Sequence, residues 1–523
     1  MHLFTRVRSS TLLKHMKFCN YYPSLLILML YISCEPRHKP GSEESVRTVT
    51  ESLINGTLRV HPKNPRYFTD QSGKAIYLTG SHTWENFQDI GVKGEKLFDY
   101  NVYLEMMHKY GHNFMRLWMF EQTEMGSWSP DTIYFDPLPF ARTGPGIAND
   151  GKLKFDLTKF NPVYFERLRQ RIMEAGKKNI YASVMLFNGW SLDRSGFKIG
   201  DPYPFLPYNL ANNVNGISAP ETINDFVNKP NLHSLKISPE LLAVQEAYVK
   251  KVIETVNDLD NVLYEIINEG GATDWQYHMI RFIKKTESSM PKQHPVGMTH
   301  LGEAKQNINQ ALFDSPADWI SPNWEDITWT SRDSAIRSSF RDNPPAVDVK
   351  KVIVPDTDHL WGHGGNYKWV WKCFLRGSNP ILMDPWDPLP GEEVESKTIG
   401  WIYIKGGITK DDRNFPEFEL IRQSMGQARS FSLRVNLADM IPRSELSSTR
   451  YCLANEGNEY LIYFPESVEG RIDLRNSKGE FEGEWFIPLM NRTVKIPRSL
   501  SGGDYLEVEP PTSLDAVLYL KKK

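Results

Sequence analysis

Cysteine is scarce, with four in 523 residues. Cys19 and Cys34 fall in the N-terminal segment, and Cys373 and Cys452 are too few for a disulfide framework and lack metal-type spacing. They are expected as buried free thiols, with a Cys373–Cys452 pair as the alternative. Charge of one sign is also lacking: 61 basic against 64 acidic residues give a net charge of −3. That balance offers no basic stripe and excludes nucleic acid as the expected partner. The apolar run at residues 22–33, YPSLLILMLYIS, falls short of the roughly 20 residues of a membrane-spanning helix. The Gly-rich GHGGN at 362–366 has neither the strand-to-helix setting nor the lysine of a phosphate loop, so a flexible site loop is expected there. His82, Asp356, Asp358 and His359 are residue types that suit a metal. The first strand end lacks the His-x-His pair of metal-dependent barrel hydrolases, and neither metal nor cofactor is expected.

Aromatic residues are plentiful, with 14 Trp and 23 Tyr concentrated in the middle of the chain. Sugars offer flat C–H faces to such rings and hydroxyls to carboxylates, amides and imidazoles, so a carbohydrate partner is expected.

The N-terminus reads as an address. Basic residues precede the 22–33 run, which has the length of a signal-peptide core. Met16-Lys17 just ahead of it offers an alternative start. The run ends in Ile32-Ser33-Cys34, and a small residue before Cys resembles a bacterial lipoprotein cleavage box, apart from Tyr31 where Leu is usual. Residues 1–34 are therefore expected to direct export, to the periplasm or the outer membrane with a lipid anchor on Cys34, or otherwise to secretion. Residues 35–56 form a linker.

From about residue 75 onward short apolar runs alternate with amphipathic stretches, the pattern of βα units, within a barrel domain expected over residues 57–440. The strand candidates are Ala75–Gly80, Asn113–Met119, Ile180–Phe187, Asn261–Asn268, Pro295–His300, Trp319–Pro322, Lys351–Asp356 and Pro380–Asp384. Eight such strands predict an α/β fold, a (β/α)8 TIM barrel. The clearest helix is Asn161–Lys178, which places Tyr164, Phe165, Leu168, Ile172 and Ala175 on one face. Ahead of the strands, residues 58–80 read as a hairpin turning at Asp70–Gly73 and capping the barrel floor. Over residues 441–523 helical periodicity disappears and short alternating runs predict a small all-β sandwich.

A barrel enzyme assembles its site at the C-terminal ends of its strands. The residues there are His82 and Trp84; Arg116 and Trp118; Asn188 and Trp190; Asn268 and Glu269; His300; Asn323 and Trp324; Asp356, Asp358 and His359; and Asp384 and Trp386. Polar and aromatic groups recur at nearly every end.

NFMRLW and VLYEIINE on this strand pattern resemble glycoside hydrolase clan A, retaining enzymes on a (β/α)8 barrel. The likeness extends over about residues 57 to 523 and is closest to the apiosidase-like group. Members of that group carry a C-terminal module named for collagen binding, which EGEWFIPLMN and LEVEPPTSLDAVLYL resemble. The resemblance implies Glu269 as acid/base, Asn268 at the sugar 2-hydroxyl and Arg116 orienting the nucleophile. Acetal cleavage independently requires one carboxylic acid and one carboxylate. The clan's strand-seven Glu is replaced here by Asp356 or Asp358, both expected to point inward by strand alternation. Glu265, four residues before Glu269, is expected to pair with a buried Arg. The expected function is an exported glycoside hydrolase acting on plant or algal polysaccharide fragments, retaining in mechanism. The alternatives are an inverting hydrolase and a catalytically decayed carbohydrate-binding lipoprotein on the same barrel.

Overall fold

The computed structural model describes residues 53–91, 97–126, 132–192, 200–220, 231–299, 308–323, 326–327, 338–346, 348, 350–361, 364–384, 386 and 415–523. The export segment, Cys34, most of the linker, His300 and Trp324 lie outside the described residues.

Each apolar run identified in the sequence overlaps a parallel strand, the first only at Gly80, where its strand begins and runs on to His82. The strands are β1 (Gly80–His82), β2 (Phe114–Leu117), β3 (Tyr181–Asn188), β4 (Val262–Asn268), β5 (Val296–Met298), β6 (Trp319–Ile320), β7 (Val352–Ile353) and β8 (Ile381–Met383). Strands β2 to β7 form one curled six-stranded sheet in chain order, and β8 pairs in parallel with β1. A single parallel bridge, Asp356 to Ile381, connects β7 to β8.

The expected closed ring is corrected at β1 and β2, which share no ladder in the sheet. The Asn113 backbone N–H donates to the Thr79 carbonyl (2.9 Å). Its side chain accepts from Thr79 N (2.9 Å) and donates to the Tyr77 carbonyl (2.9 Å). An amide side chain thus satisfies groups that a ladder would otherwise pair.

The helices lie between strands: α1 (Tyr100–Lys109), α2 (Pro162–Lys177), α3 (Pro239–Val256), α4 (Thr273–Glu287), α5 (Ile308–Asp314), α6 (Thr357–Trp361), α7 (Tyr367–Leu375) and α8 (Phe415–Arg434). Asn161 caps α2 by accepting from Val163 N, and Pro162 opens it, so the expected helix forms with its five apolar residues buried. Ser238 caps α3 in the same way.

The floor is built as the hairpin reading anticipates. Arg59–Val60 pairs antiparallel with Phe68–Thr69, and Phe68 bridges back to Ile76. Leu58 and Phe68 pack with Leu78, Phe114, Tyr181, Leu263, Trp319, Val352 and Ile381 from seven strand beginnings. Gly297 leaves β5 bare at this level, because a Cβ there would stand 2.0 Å from the Trp319 ring.

The chain after α8 (Phe415–Arg434) is all β. Its main sheet runs Ile441–Pro442, Cys452–Asn455, Glu459–Phe464, Ala516–Lys522, Glu480–Ile487, Arg492–Lys495, all antiparallel. Gly470–Asp473 and Tyr505–Val508 form a separate pair. Both faces of the central strands Glu459–Phe464 and Ala516–Lys522 are buried up to Leu520, whereas Arg492–Lys495 at the edge is largely exposed. Tyr460, Ile462, Phe464, Leu518 and Leu520 form one core. Leu461, Tyr463, Phe486, Val517 and Tyr519 belong to the large core shared with α7 (Tyr367–Leu375) and α8. Trp371 of α7 lies 5.7–6.1 Å, centroid to centroid, from the rings of Phe431, Tyr463 and Phe486. Cys373 and Cys452 are both buried and unpaired.

The shared aromatic core makes the two parts unfold together. Trp371→Ala is expected to cost about 3–5 kcal/mol and to leave one calorimetric transition at lower temperature; two separated transitions would disprove the shared core.

Candidate active site

Arg116 on β2 is fully buried at the centre of the strand ends. Its guanidinium holds Glu265 by two bonds, Nε to Oε2 at 2.8 Å and Nη2 to Oε1 at 2.5 Å. Nη2 also donates to Asn268 Oδ1 (2.6 Å), and Nη1 to Asp356 Oδ2 (2.7 Å) and Asp358 Oδ2 (3.3 Å). The expected pairing of Glu265 with a buried Arg is present. Burial alone would lower the proton affinity of Arg116, but Glu265 and Asp356 outweigh it and hold the group firmly charged.

Asp356 lies three residues beyond β7, at the isolated bridge to Ile381, with no solvent exposure. Its Oδ1 lies 2.9 Å from His82 Nε2. The Trp118 indole N–H donates to His82 Nδ1 (2.6 Å). An indole can only donate, so Nδ1 accepts and the ring proton sits on Nε2, facing Asp356. Burial by itself would push the Asp356 carboxyl up, but His82 and Arg116 outweigh it and hold it well below the usual carboxylate range.

Asp358 does not lie on the strand. Thr357 opens a short helix, α6 (Thr357–Trp361), and Asp358 reaches Arg116 from its first turn. Its backbone N–H donates to Asp356 Oδ1 (3.0 Å), so the first Asp positions the second. Burial and the neighbouring Asp356 charge push the Asp358 carboxyl up to about 6, against the opposing pull of Arg116. Its side chain retains 8% exposure, where that of Asp356 has none.

Glu269 follows β4 with φ of +44°, and Gly270 and Gly271 after it are also left-handed. A positive φ at Glu is a strained conformation of the kind that collects at functional sites. Gly189 permits it: a Cβ there would sit 2.1 Å from the Glu269 carbonyl oxygen. One ligand atom each from Glu269, Asp358 and His359 lie within 4.8 Å of one another. That spacing would also admit a cation. Arg116 already supplies positive charge to Asp358. His359 lies 2.8 Å from Ser321 Oγ through Nδ1 and 3.3 Å from Asn268 Oδ1 through Nε2.

The aromatic residues form a graded wall. Trp118 is fully buried and stacks on His82 (5.6 Å); Trp84 lies 5.7 Å from Trp118 and 4.8 Å from Trp190, which is partly exposed.

The remaining expected residues have other partners. Asn188 is buried and organises its own loop, donating to the Met119 carbonyl and accepting from Ser191 N. Its N–H meets Glu121, which also binds His233 (2.9 Å). Asp384 forms a buried ion pair with Arg422 of α8, and Arg422 also lies over the Trp386 ring. Asn323 is tied to Asn309. In GHGGN, Asn366 caps α7 by accepting from Trp369 N. Ser321, Glu121, His233 and Arg422 escaped the sequence reading; only Ser321, at the end of strand six, stood where inspection of strand ends would have found it.

A family described as a domain of unknown function (DUF6298) matches residues 119–318. No curated protein matches the chain by sequence. Among solved structures, a glycoside hydrolase is similar at 12% identity and a TM-score of 0.54, over 90% of this chain and 98% of that one. A glycoside hydrolase family 5 protein from Bacteroides vulgatus is similar at 12% identity and a TM-score of 0.56, over 90% and 95%. At such identity the likeness establishes the fold.

Two outcomes follow from this geometry. The folded state raises the Asp358 carboxyl to about 6, above its unfolded value, so the site is stabilised while Asp358 is protonated and loses that stability as pH rises through 6. Asp358→Asn is therefore expected to raise the melting temperature by a few degrees at pH 7.5 and to give no gain at pH 4, as scanning calorimetry will show. Gly189→Ala is expected to cost roughly 1–3 kcal/mol in urea denaturation, because the Glu269 carbonyl has to move; an unchanged midpoint would refute the close approach.

Proposed function

We propose that the chain is a retaining glycoside hydrolase, with Glu269 as acid/base and Asp358 as nucleophile, on eight strands acting as one (β/α)8 barrel. The spacing within 4.8 Å of Glu269, Asp358 and His359 carries the reading. Retaining enzymes hold their two carboxyl groups about 5–5.5 Å apart, whereas inverting ones leave room for a water between them. In the first step Glu269 protonates the leaving glycosidic oxygen while Asp358 attacks the anomeric carbon, giving a glycosyl ester. In the second, Glu269 takes a proton from water, whose oxygen displaces Asp358. Arg116 stabilises the carboxylate as it leaves.

With Asn268 Oδ1 engaged by Arg116, the amide Nδ2 is the end suited to meet a sugar hydroxyl. Trp190, outermost of the aromatic wall, offers a ring for stacking on a sugar face. Asp356, with no exposure, is the weaker nucleophile candidate. The substrate class we propose is a plant or algal polysaccharide fragment of the kind met by apiosidase-like enzymes. Residues 22–33 and Cys34 support export with a lipid anchor.

The test is a screen of pectic and algal glycans with wild type and Glu269→Ala. Glu269→Ala is expected to lower kcat/KM by roughly 10²–10⁴-fold, and proton NMR to show the retained anomer first. Immediate appearance of the inverted anomer would overturn the retaining mechanism, and activity persisting in Glu269→Ala would overturn the site. Because Asp358 has to be ionised to attack, activity is expected to fall as pH drops through about 6.

A further inference from the structure

We infer that Asp356 is a positioning residue that acts through Asp358 and never meets the sugar. The inference rests on the reading of Asp358 as nucleophile. Four observations support it. Asp356 has no solvent exposure, so a substrate atom has no approach to its carboxylate. Both of its oxygens are engaged, Oδ2 by Arg116 and Oδ1 by His82 and the Asp358 N–H. The His82 proton faces Asp356 because Trp118 occupies the other ring nitrogen. Asp356 thereby fixes the first turn of α6, which carries both Asp358 and His359.

The electrostatic consequence follows from counting the groups around Asp358. Facing it are Arg116 from β2, Asp356 from beyond β7, His82 from β1, Glu269 beyond β4 and His359 on its own helix. Glu265 from β4 takes two of the guanidinium's bonds. One guanidinium thus serves three carboxylates, and the most exposed of them, Asp358, takes up the proton. Burial pushes the Asp358 carboxyl up, and the fixed negative charge of Asp356 beside it raises it further.

The experiment replaces Asp356 by Asn, which keeps the size and the acceptor for the Asp358 N–H. The acid limb of kcat/KM is expected to move down by about one pH unit, so that the variant at pH 5 retains roughly fivefold more of its own plateau than wild type does. Plateau kcat is expected to fall by less than about tenfold, against a loss of ~10³-fold or more for Asp358→Asn. Loss of activity in Asp356→Asn as complete as in Asp358→Asn, with the limb unmoved, would overturn the inference. Carboxyl carbon NMR of Asp-labelled protein gives a reading that needs no glycan, the two resonances being assigned by their loss in Asp358→Asn and Asp356→Asn. The resonance that disappears in Asp358→Asn is expected to titrate near pH 6 in wild type, with Asp356 silent from pH 4 to 8. Titration of Asp356 in that window, with Asp358 silent, would overturn the inference. If the NMR result is as expected but every glycan stays intact, the glycosidase reading fails and the electrostatic one stands.

Discussion

The site depends on one imbalance: a single buried guanidinium faces three carboxylates. Arg116 satisfies Glu265 with two bonds and Asp356 with a short one, and reaches Asp358 only at 3.3 Å. Burying a charge without a partner is costly, so such a cluster reduces its charge by binding a proton. Where the proton resides is decided by His82, which directs its own proton at Asp356 and leaves Asp358 as the group that titrates. The cluster is electrostatically strained by design of its neighbours, and the strain is concentrated on the one carboxylate with access to solvent.

Such a cluster needs a rigid frame, and the fold provides one from below and from the side. The hairpin at the floor and seven strand beginnings share one apolar layer, which fixes the strands that carry Arg116 and Glu265 and lead to Asp356. Two close backbone approaches set finer positions. Gly189 allows the Glu269 carbonyl to pass, and Asn113 joins β1 to its neighbour where the ladder fails. The first places the proposed acid and the second steadies the strand that ends in His82.

The sequence made the periodic features legible. Apolar runs located all eight strands, the Pro162 opening located α2, and polar residues after apolar runs located His82, Arg116, Asn268 and the Asp pair. Misreadings arose where distant segments decide a local outcome. Strand alternation placed Asp358 on β7, but Asp356 accepts its N–H and starts a helix instead. The partner of Asp384, Arg422, went unseen because it comes from a helix with no local signal linking the two. The Glu121–His233 contact spans |i−j| = 112 in sequence, beyond any periodicity. The expected pairing of Glu265 with a buried Arg holds because Glu265 and Arg116 both lie on regular strands facing the same interior.

The central strands of the C-terminal sheet are covered on both faces. One face closes on its own core and the other on Trp371 and Phe431, so a boundary drawn in the chain at residue 440 does not correspond to a boundary in the packing. Gene fusion or exchange at that point would transplant half of a core. A viable exchange has to carry α7 and α8 with the sheet, and with α8 goes Arg422, the partner of Asp384 beside the first strand. The exchangeable unit is therefore larger than the β segment, because the helix that seals the sheet also holds a carboxylate at the strand ends.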